Sequence, residues 1–390
     1  MQDRSSSFPL GTSPQIPSAL IYRPLGTFRF VLALLVMAQH FTNLGPEGFN
    51  RLIAPLGLGS LAVLVFFAVS GFVIAEAIEA FYRGRAGAFL INRAIRIFPP
   101  LLATLALSVA VFAVLFALGP VAAPDALTGG VLAPAILSFH NILANLFALV
   151  PGLKMLGFRE EFSFVSVAWS IRTEFLFYFV MAGVLVLPGR WYRPGLALTG
   201  AAMMLGFGLH MAGKGPETLR FIPYFVFGVA LYHAMAGRRI ALAFVALASL
   251  GCLAEFFTSP VMDIPALVAA YGAIPVGKRL ILLVVAMLIF VLLTRMDAGR
   301  FARIDRMLGD LSYPVYLNHC VLLSAVRTLL PDLGGMGLMA VSLYAVGLSY
   351  AMYALVEPGL NGLRDRVRRA RMEPAPVPAG APVAVPAAQL

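Results

Sequence analysis

Two basic side chains in one apolar stretch are the first residues that could do chemistry. Residues 28–40 read FRFVLALLVMAQH, with Arg29 near the start and His40 at the end. On a helix these two positions lie within about 20° of each other around the axis and about 16 Å apart along it. Taken alone, Arg29 fits a snorkelling anchor and His40 a hydrogen-bonded core histidine. Their common stripe favours a polar passage lined by this helix.

A second polar stripe lies in the middle of the chain. Ser170, Glu174 and Tyr178 recur every four residues, so a helix places them on one face. A carboxylate within the membrane must face the protein interior and find a donor there. We predict that Glu174 pairs with His40, since both fall in the outer half of their spans. A pair with Arg172 is the alternative, and the two-residue spacing disfavours it.

Paired arginines precede the third apolar block. Arg93 and Arg96 are three residues apart and are followed by Pro99 and Pro100, which we expect to start a helix at the cytoplasmic surface. Two guanidinium groups on one face suit the phosphates of a ligand. Contact with lipid headgroups is the alternative explanation for both residues.

Two further polar positions fall within apolar blocks. Ser70 and Gly71 form a small pair in the middle of one block. Close helix packing explains such a pair and is favoured over a chemical role for it. Ser312, Tyr316 and His319 lie on or near one stripe of a later helix. Polar groups on four helices therefore indicate an enclosed polar site.

The elements that must hold these residues are membrane helices. Of 390 residues, 60% are hydrophobic and 12% are charged, whereas a soluble domain has about a quarter charged residues. The apolar residues form blocks near the length of about 20 residues that crosses a bilayer, and backbone groups in lipid must be satisfied within such blocks. The composition predicts an all-α integral membrane protein.

We predict a bundle of about ten transmembrane helices with both the N- and C-termini in the cytoplasm. The spans are residues 28–44, 60–80, 99–119, 165–187, 194–211, 220–236, 240–257, 278–294, 308–330 and 337–357. Most basic residues then lie on the side of the termini, as the positive-inside rule requires. The net charge of +11 is thus explained by topology, and no nucleic-acid partner is expected. Two weaker segments, 131–152 and 265–276, are interrupted by proline and are predicted to be interfacial or re-entrant.

Three regions follow from this pattern. Residues 1–22 are rich in Ser and Pro without an early apolar run, and we expect a disordered cytoplasmic N-terminus rather than a cleavable signal peptide. Residues 23–360 form the transmembrane domain. Residues 361–390 are a basic and then Pro/Ala-rich cytoplasmic tail. Cys252 and Cys320 have no ligand-like spacing, so no metal site is predicted.

In this order the motifs resemble the membrane acyltransferase family 3, bacterial inner-membrane O-acyltransferases of surface polysaccharides and related glycosides. The matching residues are Arg29 and His40 for its Arg-x10-His motif, Ser70, Gly71 and Phe72 for Ser-Gly-Phe, Arg93 and Arg96 for Arg-x-x-Arg-x-x-Pro, Trp169, Ser170, Glu174, Phe177 and Tyr178 for Trp-Ser-x-x-x-Glu-x-x-Phe-Tyr, Tyr316 and His319 for Tyr-x-x-His, and the final Glu357 and Pro358.

The resemblance implies transfer of an acyl group, most often acetyl, to a hydroxyl of a surface polysaccharide, lipopolysaccharide or lipid-linked sugar. The donor would be cytoplasmic acyl-CoA, with acetyl-CoA expected, acting as a co-substrate without a permanently bound cofactor. Arg93 and Arg96 would hold its phosphates, with Arg29 at the entrance of the passage. His40 would act as general base or as acyl carrier, and Glu174 would orient its imidazole. The residues expected to line the substrate site are Ser70, Trp169, Ser170, Tyr178, Tyr316 and His319.

A transporter would show some of the same features. Polar stripes through a helix bundle also fit a proton-coupled secondary transporter or flippase for a lipid-linked sugar, in which His40 and Glu174 relay protons. That function predicts inverted internal repeats, and the two halves of the chain show no convincing similarity. Acyl transfer is therefore preferred. The acceptor sugar, the acyl group, the exact role of His40 and the oligomeric state stay open.

Overall fold

The computed structural model describes residues 22–42, 44–122, 131–147, 160–258, 276–330 and 333–369. The α-helices are α1 Leu25–His40, α2 Glu47–Ile53, α3 Leu58–Ala77, α4 Ala86–Leu118, α5 Phe139–Leu146, α6 Ala168–Val186, α7 Gly189–Met211, α8 Ile222–Met235, α9 Arg239–Thr258, α10 Val276–Leu293, α11 Ala302–Leu329 and α12 Gly335–Arg369. A π-helical turn, Ile78–Tyr82, extends α3, and short 3-10 turns cover Ala54–Leu56, Pro134–Leu137, Glu217–Phe221 and Gly299–Phe301. Two short antiparallel strands, β1 Val121–Ala122 and β2 Val131–Leu132, pair Val121 with Leu132.

Each of the ten predicted spans overlaps one of the longer helices. Within the described residues, seven helices are long and apolar enough to cross a membrane: α3 with its π-turn, α4, α6, α7, α9, α10 and α12. Helix α1 is apolar but shorter, α8 has 14 residues, and α11 carries several charges near its start. The predicted class, a helical multi-pass membrane protein, is confirmed. The number of ten crossings and the cytoplasmic termini stay predictions.

The weaker segments and the ends of the chain are only partly described. Residues 131–147 contain β2, one 3-10 turn and α5, which at 8 residues is too short to span a bilayer. Residues 148–152 and 265–275 of the two segments, the N-terminal residues 1–21 and the tail from 370 lie outside the described residues. The last helix passes the predicted boundary at 360 and ends at Arg369.

Helix α4 differs from its prediction. It runs unbroken for 33 residues and contains Pro99 and Pro100, which were expected to start it. A proline frees the carbonyl one turn earlier, and membrane helices tolerate this where neighbours satisfy the backbone. Pro99 and Pro100 free the carbonyls of Ile95 and Arg96, and the Tyr313 hydroxyl of α11 approaches the same turn, donating to the adjacent Ile97 carbonyl at 3.2 Å. The arginine pair therefore belongs to the membrane helix itself.

The centre of the bundle is formed by α1, α3 and α11, and α8 packs on the far side of α3. Gly71 of α3 is in backbone contact with α8, because a Cβ there would lie 2.3 Å from the Phe225 carbonyl oxygen. A Cβ on Gly228 would lie 2.0 Å from the Ala68 carbonyl oxygen in return. The packing interpretation of Gly71 is confirmed, since only glycines permit this approach.

Candidate active site

Helices α1 and α11 set the depth of the site. The buried Asp305 carboxylate of α11 accepts hydrogen bonds from the backbone N–H groups of Gly26 at 2.9 Å and Thr27 at 2.7 Å. It thus caps the N-terminus of α1, where a negative charge is stabilising. The helices are parallel: Gly26 contacts Asp305 at one end and His40 contacts His319 at the other, and the two contacts are separated by the same number of residues on each helix. Residues on the two helices are therefore held at matching heights.

Five helices enclose a cavity of about 100 Å³. They are α1, α3, α4, α6 and α11, and each contributes at least one residue that the sequence singled out. The polar residues that line it are Arg29, Ser70, Arg93, Arg96, Ser170, Glu174, Tyr178, Ser312, Tyr313 and Tyr316. An enclosed polar site is present, and its members come from distant parts of the chain, but His40 and His319, which were expected in it, do not line the cavity.

Glu174 lies at the middle of this cavity. Its Oε1 accepts hydrogen bonds from the Ser70 hydroxyl at 2.7 Å and from the Tyr178 hydroxyl at 2.7 Å. Ser70 is thus a polar contact of the site, whereas its neighbour Gly71 serves packing. The expected pair with His40 is absent: among the described residues, Glu174 and His40 share no hydrogen bond.

Glu174 and His40 do not meet because they lie at different heights along the bundle. Ser170 precedes Glu174 by one helical turn, about 6 Å along the axis. The Ser170 hydroxyl donates to the Val167 carbonyl at 2.9 Å and accepts from the Tyr316 hydroxyl at 2.7 Å. The Tyr316 ring lies 6.2 Å from that of His319. His40 belongs to this level, nearer the end of α6 where that helix begins, so Glu174 lies too deep to meet it.

His40 is paired instead with a second histidine. Its ring centroid is 5.1 Å from that of His319, and it is exposed while His319 is buried. The His319 Nδ1 faces the Val315 carbonyl at 3.2 Å. Because a carbonyl only accepts, Nδ1 carries the proton and Nε2 keeps its lone pair. Nε2 in turn lies 3.2 Å from the Cys320 Sγ, whose thiol is its donor.

These three residues could also hold a metal. The ligand atoms of His40, His319 and Cys320 lie within 4.8 Å of one another, a set that the sequence spacing did not reveal. The Cys320 Sγ also accepts from the Ser166 hydroxyl at 3.1 Å. A metal ion bound here would displace the proton that the Cys320 thiol donates to His319. The hydrogen-bonded chain from Ser166 through Cys320 to His319 therefore explains why these side chains lie together without a metal ion.

The cationic end of the cavity holds three guanidinium groups. Arg93 is only 7% exposed, its Nε has no hydrogen-bond partner among the described residues, and its guanidinium lies 5.5 Å from the Tyr178 ring. Arg29 donates to the Gly309 carbonyl at 2.9 Å and to the Ser312 hydroxyl at 3.3 Å. Arg96 completes the set. Glu174 and nearby Asp310 offset part of the charge.

This arrangement bears on the two explanations of the arginine pair, lipid headgroups or an anionic ligand. Because α4 continues through its prolines, Arg93 and Arg96 face the interior of the bundle. Headgroup contact therefore explains them less well than an anionic ligand within the cavity.

Trp169 does not line the cavity. Its side chain is 42% exposed and its ring packs on Phe221, with centroids 5.4 Å apart. Successive helix residues point about 100° apart, so the residue before the inward-facing Ser170 is turned away. Its place in the motif thus reflects adjacency in sequence and not contact with the site.

Some residues that hold the site were not found from the sequence. Asp305 caps α1 from another helix, and in the sequence only its position in the first turn of α11 marks it out. Thr104 and Asn318 form a buried hydrogen bond of 2.8 Å between α4 and α11. Arg364, assigned to the tail, is buried and paired with Glu357 at 3.2 Å. Pairs between helices, unlike the Arg364–Glu357 pair within α12, carry no periodic signal in the sequence.

Comparison with known proteins agrees with this geometry. A family model for an acyltransferase domain matches residues 25–354, from the start of α1 into α12, and so includes every helix that lines the cavity. The chain belongs to this acyltransferase family. The protein is therefore an enzyme that transfers acyl groups other than aminoacyl groups.

One relative aligns with a similarly large part of the chain. The exopolysaccharide production protein ExoZ of Rhizobium meliloti (strain 1021) is 28% identical over 323 residues, which are 80% of this chain and 92% of that protein. No solved structure matches the chain significantly.

Proposed function

We propose that this acyltransferase is an O-acetyltransferase of the bacterial inner membrane that modifies an exopolysaccharide or its lipid-linked precursor. The donor is cytoplasmic acetyl-CoA, and the acceptor is a sugar hydroxyl. The observation that carries the proposal is a polar column: the cavity holds three guanidinium groups, and beyond its lining Tyr316 leads to the rings of His319 and His40. The similarity to an exopolysaccharide production protein supports the choice of acceptor.

The cationic end suits the donor. The phosphates of acetyl-CoA are polyanionic, and Arg29, Arg93 and Arg96 all line the cavity, with the Arg93 Nε lacking a hydrogen-bond partner among the described residues. The nucleotide is too large for a cavity of about 100 Å³. The nucleotide would therefore stay at the arginine end, and the arm would carry the thioester along the column. Arg29 and His40 are about 16 Å apart along α1, a span that an extended arm can cover.

The imidazole end suits the transfer. His40 is exposed, so its ring can reach an acceptor hydroxyl, and a neutral imidazole can take the hydroxyl proton. The oxygen then attacks the thioester carbonyl, the carbon–sulfur bond breaks, and the CoA thiolate leaves and takes up a proton. If His40 instead forms an acyl intermediate, the same overall transfer takes place in two steps: the acyl group moves from CoA to His40 and then from His40 to the sugar hydroxyl.

The residues between the two ends would hold the reacting groups in place. Glu174 fixes the hydroxyls of Ser70 and Tyr178, and Tyr316 connects Ser170 to His319. The His319 ring, whose centroid is 5.1 Å from that of His40, would hold His40 in place by packing, because Glu174 does not reach it. Membership of an acyltransferase family favours this chemistry over proton relay in a transporter.

The experiment is a transfer assay in inverted membrane vesicles. Vesicles with the full chain and acceptor polysaccharide are given acetyl-CoA labelled in the acetyl group, and the polysaccharide is examined by mass spectrometry. We expect the mass of an acetyl ester, lost on mild alkaline treatment and absent from vesicles without the protein. Labelled polysaccharide in both preparations, or none in either, would refute the proposal. Free CoA without labelled sugar would leave an acyltransferase with another acceptor.

A further inference from the structure

A second cavity lies between α6, α7, α8 and α9, and its volume is about 300 Å³. It shares no lining residue with the active-site cavity. Helix α6 separates the two, because Tyr178 faces the active site and its neighbour Phe177 faces the second cavity. The volume lies at the lower end of the range for ligand pockets, about 300–1,000 Å³.

Apart from the arginines at its rim, the cavity has only two polar lining residues within the described part of the chain, Thr199 and one histidine. Aliphatic and aromatic side chains such as Phe177, Met203 and Phe244 form most of its wall. His233, in the last turn of α8, lines it while only 4% exposed. Neither nitrogen of His233 has a hydrogen-bond partner among the described residues. A buried polar group without a partner is costly, so this imidazole indicates a ligand with a polar atom at that depth.

The rim of the cavity is cationic. Arg193, Arg238 and Arg239 all line it. Arg238 is paired with Glu79 at 3.3 Å, whereas Arg193 and Arg239 are exposed and form no ion pair within the described part of the chain. Ile240, also on the wall, is 64% exposed, so the cavity reaches the surface of the bundle. Apolar depth, one buried imidazole and free guanidinium groups at the mouth match an anionic amphiphile.

We propose that this cavity binds an anionic membrane phospholipid. One acyl chain occupies the apolar interior, the phosphate lies on Arg193 and Arg239, and an ester oxygen of the glycerol unit accepts a hydrogen bond from His233. The surrounding bilayer supplies such a lipid through the exposed mouth. The site does not depend on the identity of the acyl donor or acceptor at the active site.

The test is lipid binding to the purified, delipidated full chain, measured by native mass spectrometry. Phosphatidylglycerol is the probe, and phosphatidylcholine with the same acyl chains and inorganic phosphate are the comparisons. We expect one tightly bound phosphatidylglycerol per chain, weaker binding of phosphatidylcholine, and no displacement by inorganic phosphate. Equal binding of both lipids would overturn the role of the rim, and displacement by phosphate would show a site for a free anion instead.

Two variants test the two halves of the site. Replacement of both arginines, Arg193→Ala with Arg239→Ala, should weaken phosphatidylglycerol binding by about tenfold. Ala197→Phe, on the wall of α7, should fill the cavity and weaken both lipids. The controls remove or add the same groups elsewhere: Arg295→Ala with Arg303→Ala, and Ala201→Phe on the exposed face of α7. Wild-type binding in both test variants would overturn the proposal, and the arginine variant does so even if Ala197→Phe fails to fold.

Discussion

The two ends of the polar column differ in how their side chains are held. At the arginine end, Arg93 is buried without a partner for its Nε, and Arg96 forms no hydrogen bond within the described residues. At the imidazole end, His319 is hydrogen-bonded at both nitrogens, and its ring packs beside the exposed His40. Unoccupied donors suit the binding of an external anion, whereas a fixed neighbour beside a free ring suits repeated proton transfer. The ends should therefore fail in different ways when they are changed.

The largest effect is expected at the imidazole end. His40→Ala removes the proposed base, and the rate of acetyl transfer should fall by about 10²–10⁴-fold, the usual contribution of general base catalysis. Membrane level and thermal stability should not change, because His40 is exposed at the end of α1. Transfer rates in vesicles, normalised to protein by immunoblot, check this. His140→Ala, an exposed histidine away from the cavity, is the control. Full activity of His40→Ala would show that the chemistry takes place elsewhere.

The arginine end should give a defect of binding. Arg93→Ala with Arg96→Ala removes two charged donors, and we expect the KM for acetyl-CoA to rise by at least about tenfold while kcat changes less. The KM for the acceptor should stay near its wild-type value. Arg303→Ala, exposed on α11, is the matched control for loss of charge. A defect confined to the acceptor would mean that these arginines bind the sugar and not the donor.

Adjacent residues in α3 separate packing from chemistry. Gly71→Ala places a Cβ 2.3 Å from the Phe225 carbonyl oxygen, and overpacking of this kind costs about 1–3 kcal/mol. Ser70→Ala removes one hydrogen bond to Glu174 and should lower transfer with little change in stability. Thermal unfolding in detergent and transfer rates measured on the same preparations distinguish the two. Equal loss of stability in both variants would make Ser70 a packing residue as well.

A smaller effect is expected at Asp305, which fixes the height of α1 relative to α11. Asp305→Ala removes the cap of α1, a change that costs about 0.5–2 kcal/mol elsewhere. Because the cap sets the height of α1 against α11, the variant should lower the unfolding temperature and also reduce kcat slightly. Glu161→Ala, an exposed acid before α6, should change neither. A stability loss without any change in kcat would limit Asp305 to folding.

Sequence periodicity predicted the helices and the faces that carry polar residues, because both depend on spacing along one helix. It did not predict which faces meet. Glu174 and His40 were paired from their approximate depth, and an error of one helical turn was enough to exchange His40 for Ser70 and Tyr178. The partner of His40 lies on a helix far away in sequence. His233 has no stripe of polar neighbours around it, so spacing did not reveal the second cavity.

The smallest effect is expected at Trp169, which the motif placed among the substrate-lining residues and the structure places outside them. Trp169→Phe keeps an aromatic ring against Phe221, and both KM values and kcat should stay within about twofold of wild type, since surface substitutions usually cost less than about 0.5 kcal/mol. Tyr316→Phe, which removes the hydroxyl bonded to Ser170, is the comparison, and it should reduce kcat more. If Trp169→Phe raised the acceptor KM by tenfold, the acceptor would enter along the outer side of α6, and the imidazole end of the column would be only part of its site.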